Sequence, residues 1–164
     1  MKVMTTGPGE KGLPRCILGF FYLYFFLHWG TSILMFWKKL GFSLASITRY
    51  YLGDAELFMN PRSFDGLLEV THFHLFAMGF FFVVFSHLLL FAPWPGQLKK
   101  LLIFLLAISL LADMGAGWLV RYLHAGFAVL KLGAFWLLQG VSFTLLIGLT
   151  IGVFAARPGQ KQET

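Results

Sequence analysis

The chain has 164 residues, of which 58% are hydrophobic, 12% are charged and twenty are phenylalanine. A water-soluble core of this length needs far less apolar surface, so a soluble enzyme or a nucleic-acid-binding domain is excluded in favour of an integral membrane protein. The net charge of +6 arises from basic residues at the ends of apolar runs, and the single cysteine, Cys16, excludes an internal disulfide or a cysteine-rich metal site.

Four runs, 16–38, 67–93, 101–121 and 126–155, are long enough to cross the roughly 30 Å hydrocarbon layer as helices, which takes about 20 residues each. The predicted fold is therefore all-α, an integral membrane four-helix bundle forming one domain over 1–164. The first run follows fifteen polar, Gly/Pro-containing residues and has no small-residue cleavage site, so it reads as a retained anchor. It carries His28, about 13–18 Å from its outer end.

The segment 39–66 is the one long connection. Its aromatic residues Phe42, Tyr50, Tyr51, Phe58 and Phe64 suit a stretch lying on the membrane surface, and Arg49 is its central cation. The second predicted helix begins with Glu69-Val-Thr-His72-Phe-His74. Both histidines lie about 8–10 Å below the outer boundary, and a separation of two residues aims them about 200° apart. They cannot hold one small ion together, but each can serve a site on its own side of the helix. Glu69, three residues before His72, shares its face and can orient the imidazole or accept a proton from a quinol. His87, near the inner end, reads as interfacial.

The turn PWPGQLKK leads into the third helix, where Asp113 sits about 12 Å below Arg121. The outer turn RYLHAG brings His124 to the start of the fourth, which also carries Lys131 at nearly the depth of Asp113. An ion pair between them is the cheapest way to keep either charge in hydrocarbon, with proton carriage by Asp113 as the functional alternative. Gly126, Gly133 and Gly140 recur every seven residues, a stripe that drifts only about 20° per step. Gly148 and Gly152 continue the glycine pattern. His124, Lys131 and Ser142 occupy the opposite side, so a polar stripe facing inward leaves the glycines outward for a homodimer or a larger complex.

Short turns make neighbours antiparallel and give an up-down-up-down order. Lys2, Lys11, Arg15, Lys99, Lys100, Arg157 and Lys161 fall on one side, Lys38, Lys39, Arg49, Arg62 and Arg121 on the other, which favours N-in/C-in. Four of the five histidines then gather in the outer half. Matching depth pairs His28 with His74 and His72 with His124. Haem iron between two neutral imidazoles on facing helices is the economical use of such pairs, with Arg49 and Arg121 near the interface for the propionates.

The stretch VTHFHLFAMGFFFVVF (Val70 to Phe85) resembles the His-Phe-His helix of haem-copper oxidase subunit I, in which each histidine serves one haem. The remaining motifs of that subunit have no counterpart here, so the likeness implies haem ligation by His72 and His74 and not oxygen reduction. The chain as a whole resembles small four-helix bacterial membrane cytochrome b subunits. The function expected is a haem b electron-transfer subunit of an oxidoreductase in the bacterial inner membrane, holding one or two haems and linking the quinone pool to a redox partner at the outer face. The competing functions are a metal-ion or proton-coupled transporter using the same histidines with Asp113 and Lys131, and a non-catalytic anchor or assembly subunit. Nothing in the chain points to nucleic acid, and its glycines never precede a Lys-Ser/Thr pair, which removes a phosphate loop.

Overall fold

A computed structural model of the protein describes residues 13–155. Lys2, Lys11, Arg157 and Lys161, which carry much of the expected charge bias, lie outside the described residues, as do the side chain of Arg15 and the surroundings of Gly152. The helices are α1 (Leu13–Lys39), α2 (Leu44–Leu52), α3 (Phe64–Phe91), α4 (Gly96–Tyr122) and α5 (Ala128–Ala155), with a 3-10 turn at Ala125–Phe127 before α5. The four long helices are each long and apolar enough to span a membrane. This is the all-α, multi-pass membrane bundle expected from hydropathy.

Helices α3 and α4 begin at Phe64 and Gly96, earlier than the expected 67 and 101, and two further differences have identifiable reasons. The connection after α1 contains α2, because Ser43 and Ser46 form a reciprocal capping box that starts a helix there. The last helix begins at Ala128 and not at residue 126, since His124 caps the preceding 3-10 turn. Gly126 therefore belongs to that turn and leaves the stripe formed by Gly133 and Gly140.

The α4/α5 pair is the centre of the bundle: 50% of the α5 membrane window and 33% of the α4 window are buried, against 11% for α1 and α3. Side-chain contacts fix the relative register. Phe25 stacks on Phe81 at 4.7 Å while Phe21 meets Phe85 at 5.5 Å, so numbering along α1 and α3 runs in opposite order. Phe36 stacks on Phe135 at 3.8 Å and Trp29 meets Phe143 at 5.1 Å, which reverses α1 against α5 in the same way.

Apolar side chains form one cluster around Phe85, Leu89, Leu106 and Leu145, and a second around Phe36, Ile47, Tyr51, Val120 and Phe135. The second one shows what α2 does. Ile47 is fully buried and Tyr51 nearly so, which makes α2 a plug laid across one end of α4 and α5. Beyond it, the loop folds on itself: Asp54 and Met59 exchange backbone hydrogen bonds at 2.9 Å, and Asp54 Oδ1 accepts from the amides of Glu56 and Leu57. Gly53 has φ +80, and a Cβ there would meet the Met59 carbonyl, so only glycine fits the corner.

At the other end, Lys99 Nζ donates to the Leu90 carbonyl at 2.9 Å and closes the C-terminus of α3, where the helix dipole favours a cation. The neighbouring Trp94 lies flat against Gly148 of α5, leaving no room for a Cβ. Gly148 thus lets the α3–α4 turn lock onto α5. Gly148→Ala is expected to lower stability by about 1–3 kcal/mol, as overpacking does, while Gly140→Ala, whose added carbon meets nothing within 4 Å, does not. Thermal unfolding of the detergent-solubilised variants checks this; equal melting temperatures would show that Trp94 is not held by Gly148.

Candidate functional site

The bundle places a partly open cavity of about 280 Å³ between α1, α3 and α5. Its walls are aromatic, including Phe21, Phe25 and Phe81, but one band is polar: His28 and Ser32 from α1, Gln139 and Ser142 from α5. Helical spacing creates the band, since His28 and Ser32 are four residues apart and Gln139 and Ser142 three, each pair sharing one helix face. Gln139 and Ser142 are buried at 6% and 4% exposure, so their polar groups need partners. Trp29 Nε1 donates to the Gln139 backbone carbonyl at 3.1 Å, and the single hydroxyl proton of Ser32 has two acceptors in reach, the Trp29 carbonyl at 2.8 Å and Gln139 Oε1 at 3.3 Å.

His74 stands next to this band on α3, one turn before Ala77 and Met78 in the cavity wall. The register that pairs Phe25 with Phe81 sets His74 level with Ser32 and His28 level with Met78. The two imidazoles are therefore offset by one turn, about 6 Å along the bundle, and flank the cavity diagonally. His74 Nδ1 lies 2.7 Å from the Val70 carbonyl. As the Nδ1–H tautomer it donates there, which fixes the ring and leaves Nε2 as a free lone pair, the usual arrangement of a metal-bound histidine.

The other expected pair does not come together. His124 lies beyond the end of α4, and its Nδ1 accepts a hydrogen bond from the Gly126 amide at 3.0 Å. That role needs the proton on Nε2, so capping and ligation through Nε2 compete. Trp118 Nε1 donates to Thr71 Oγ1 at 2.8 Å, which sets the level of α3 against α4. His72 is next to Thr71, whereas His124 is six residues past Trp118, about 9 Å farther along. His72 is exposed on the membrane-facing side of α3, as is Glu69, and His87 lies edge-on to Phe91 near the other end.

The two arginines expected at the propionates have partners in the loop. Arg49 pairs with Asp54 at 2.8 Å, and Arg121 Nε donates to the Arg62 carbonyl at 2.8 Å. Arg62 in turn lies over the Tyr50 ring at 4.1 Å, a cation–π contact. Both arginines hold contacts within the 40–63 connection or between it and α4; neither lines the cavity.

Asp113 and Lys131 form the expected ion pair. Lys131 Nζ donates to Asp113 Oδ1 at 2.8 Å and to the Asp113 carbonyl at 2.9 Å, with both side chains largely shielded. Sequence reasoning missed the cover of this pair, Tyr51, whose ring rests against Gly117 so closely that a Cβ there would strike it. Burial, reinforced by the Asp113 carboxylate, pushes the Tyr51 phenol well above its ordinary range. It stays protonated at neutral pH. The signal for this contact was faint in the chain, because one small residue in an apolar helix looks like any other.

Among the described residues, no group of three or more His, Cys, Asp or Glu side chains could hold a metal ion directly. For a haem the donor chemistry fits: the imidazole of His28 in the lining, beside an aromatic wall, with that of His74 one turn from the lining on another helix. The cavity volume sits just below the roughly 300–1,000 Å³ of typical small-molecule sites.

Residues 41–160 match the family model Aq_1264_TM, a transmembrane helical domain, and the chain belongs to that family. The match takes in α2 to α5 and begins just after α1. No curated protein and no solved structure matches the chain.

Removing one partner of the Asp113–Lys131 pair leaves an uncompensated charge at a shielded site. Asp113→Leu and Lys131→Met are each expected to cost about 3–5 kcal/mol, and the double variant Asp113→Leu/Lys131→Met much less than their sum. A double-mutant cycle on unfolding in detergent measures the difference; strict additivity would show that the pair contributes nothing.

Proposed function

We propose that the protein is a haem b subunit of a bacterial cytoplasmic membrane, passing electrons between the quinone pool and a redox partner at the outer face. The observation that carries this reading is His28 in the lining of an aromatic-walled cavity, with His74 one helical turn from that lining on α3. One haem is the reading favoured over two, because His124 is engaged as a cap and His72 is remote from it. Bound there, haem would supply reversible one-electron chemistry at iron.

The chain's own residues supply the rest. The Val70 carbonyl orients the His74 ring through Nδ1. Phe21, Phe25 and Phe81 keep water from the apolar body of a macrocycle, and Gln139 and Ser142 give the only polar groups of α5 on that wall. The up-down-up-down order with both chain ends inside is part of the same reading. It sets the α2 plug and the Arg62–Arg121 contact on the outer face, as a basic docking surface for the redox partner.

A non-catalytic assembly subunit is the second reading. Gly133 and Gly140 favour it, since both are exposed and have nothing within 4 Å, leaving α5 open to a partner helix or a second copy.

Protein expressed with adequate haem supply is expected to show a reduced-minus-oxidised haem b spectrum. His28→Ala and His74→Ala each abolish the low-spin bands, whereas His72→Ala and His124→Asn keep them. A haem-free wild type would sink the cytochrome reading, and unchanged bands in both His28→Ala and His74→Ala would refute the ligand pair.

A further inference from the structure

Two of the candidate site residues of α3, Glu69 and His72, remain without a role. They lie three apart, both exposed, and neither has a hydrogen-bond or ion-pair partner among the described residues. Ionisable side chains at this depth are costly in lipid, which makes a polar ligand the natural explanation. Directly along the helix from His72 runs a second cavity, about 260 Å³, between α3 and α4. Leu75, Gly79 and Phe82 line one side and Ala107, Leu111 and Met114 the other.

His72, Leu75, Gly79 and Phe82 follow the spacing i, i+3, i+7, i+10, a single stripe of α3. On α4 the stripe through Ala107, Leu111 and Met114 continues to Trp118 and Arg121. The cavity lining is therefore apolar throughout, and His72 lies just beyond its end on the same stripe of α3. A Cβ on Gly79 would meet nothing within 4 Å, so the glycine keeps space open that packing does not use.

We infer that this groove binds an isoprenoid quinone, its tail along Leu75, Gly79 and Met114 and its ring at His72 and Glu69. An imidazole N–H donates to a quinone carbonyl, and the carboxylate accepts from a quinol hydroxyl, so the pair recognises both redox forms of one head group. A phosphodiester head would instead place its negative charge against Glu69. The groove also lies close to the haem cavity, because Met78 is in the wall of both. This gives a location to the quinone exchange of the proposed function and rests on that reading for its electron acceptor.

Binding itself does not require haem and is measured without it. Haem-free full-length protein in phosphatidylcholine nanodiscs is titrated with decylubiquinone, with quenching of tryptophan fluorescence as the readout; Trp118 stands one turn above Met114. Saturable quenching is expected. Gly79→Leu, which fills the groove, and His72→Ala should each raise Kd about tenfold or more, while Gly133→Leu on the open face of α5 leaves it unchanged. Circular dichroism confirms that the variants are folded. Non-saturable quenching, a Kd unmoved by Gly79→Leu, or equal displacement by excess phosphatidylglycerol overturns the assignment. Quinone binding that survives in His28→Ala, together with loss of the haem spectrum there, separates this site from the haem cavity.

Discussion

The Asp113–Lys131 bond is the contact on which the bundle turns. In hydrocarbon either charge alone is strongly unfavourable, so the two helices that carry them are held side by side and in one register. The second hydrogen bond, from Lys131 to the Asp113 carbonyl, fixes the ammonium against the α4 backbone as well as the carboxylate. Around that pair the rest is arranged: α4 and α5 are the most buried of the four spans, and α2 closes one end of them with Tyr51 over Gly117. The loop contacts of Arg49, Arg62 and Arg121 then hold α2 in place.

A tightly joined central pair leaves α1 and α3 as flanking helices with much of their surface toward lipid. Two clefts follow from that geometry, one where α1 and α3 meet α5 and one where α3 meets α4. Both have largely apolar walls, and His28 is the imidazole in the lining of the first. His74 stands one turn before the α3 residues of the first cleft, and His72 three residues before Leu75 of the second. The roughly 200° between them is what lets the proposed haem and quinone sites draw on different histidines of His-Phe-His.

Much of the fold was legible in the chain because hydropathy and charge speak at long range. Runs of apolar residues gave the four spans, and two opposite charges at equal depth gave the Asp113–Lys131 pair. The outward glycines of α5 were also readable, as Gly133 and Gly140 confirm by their open surroundings. Helical angles could not foresee a change of backbone at the turn. His124 and Gly126 were placed on a regular helix, whereas a 3-10 turn capped by His124 removes both from the α5 register. The pairing of His72 with His124 needed both at one level, and the register set by Trp118 and Thr71 puts His124 about 9 Å farther along, the offset that their depths counted from the helix ends already implied. The contacts of Gly117 with Tyr51 and Gly148 with Trp94 join elements distant in sequence, and no local pattern announces them.

The central claim is that two imidazoles, from α1 and α3, share one iron. Electron paramagnetic resonance of the oxidised, purified protein addresses it directly. A low-spin ferric signal of two nitrogen axial ligands, accounting for one haem per chain, is the result predicted. A high-spin signal from iron with a single imidazole, or no haem iron at all in protein produced with ample haem, contradicts it.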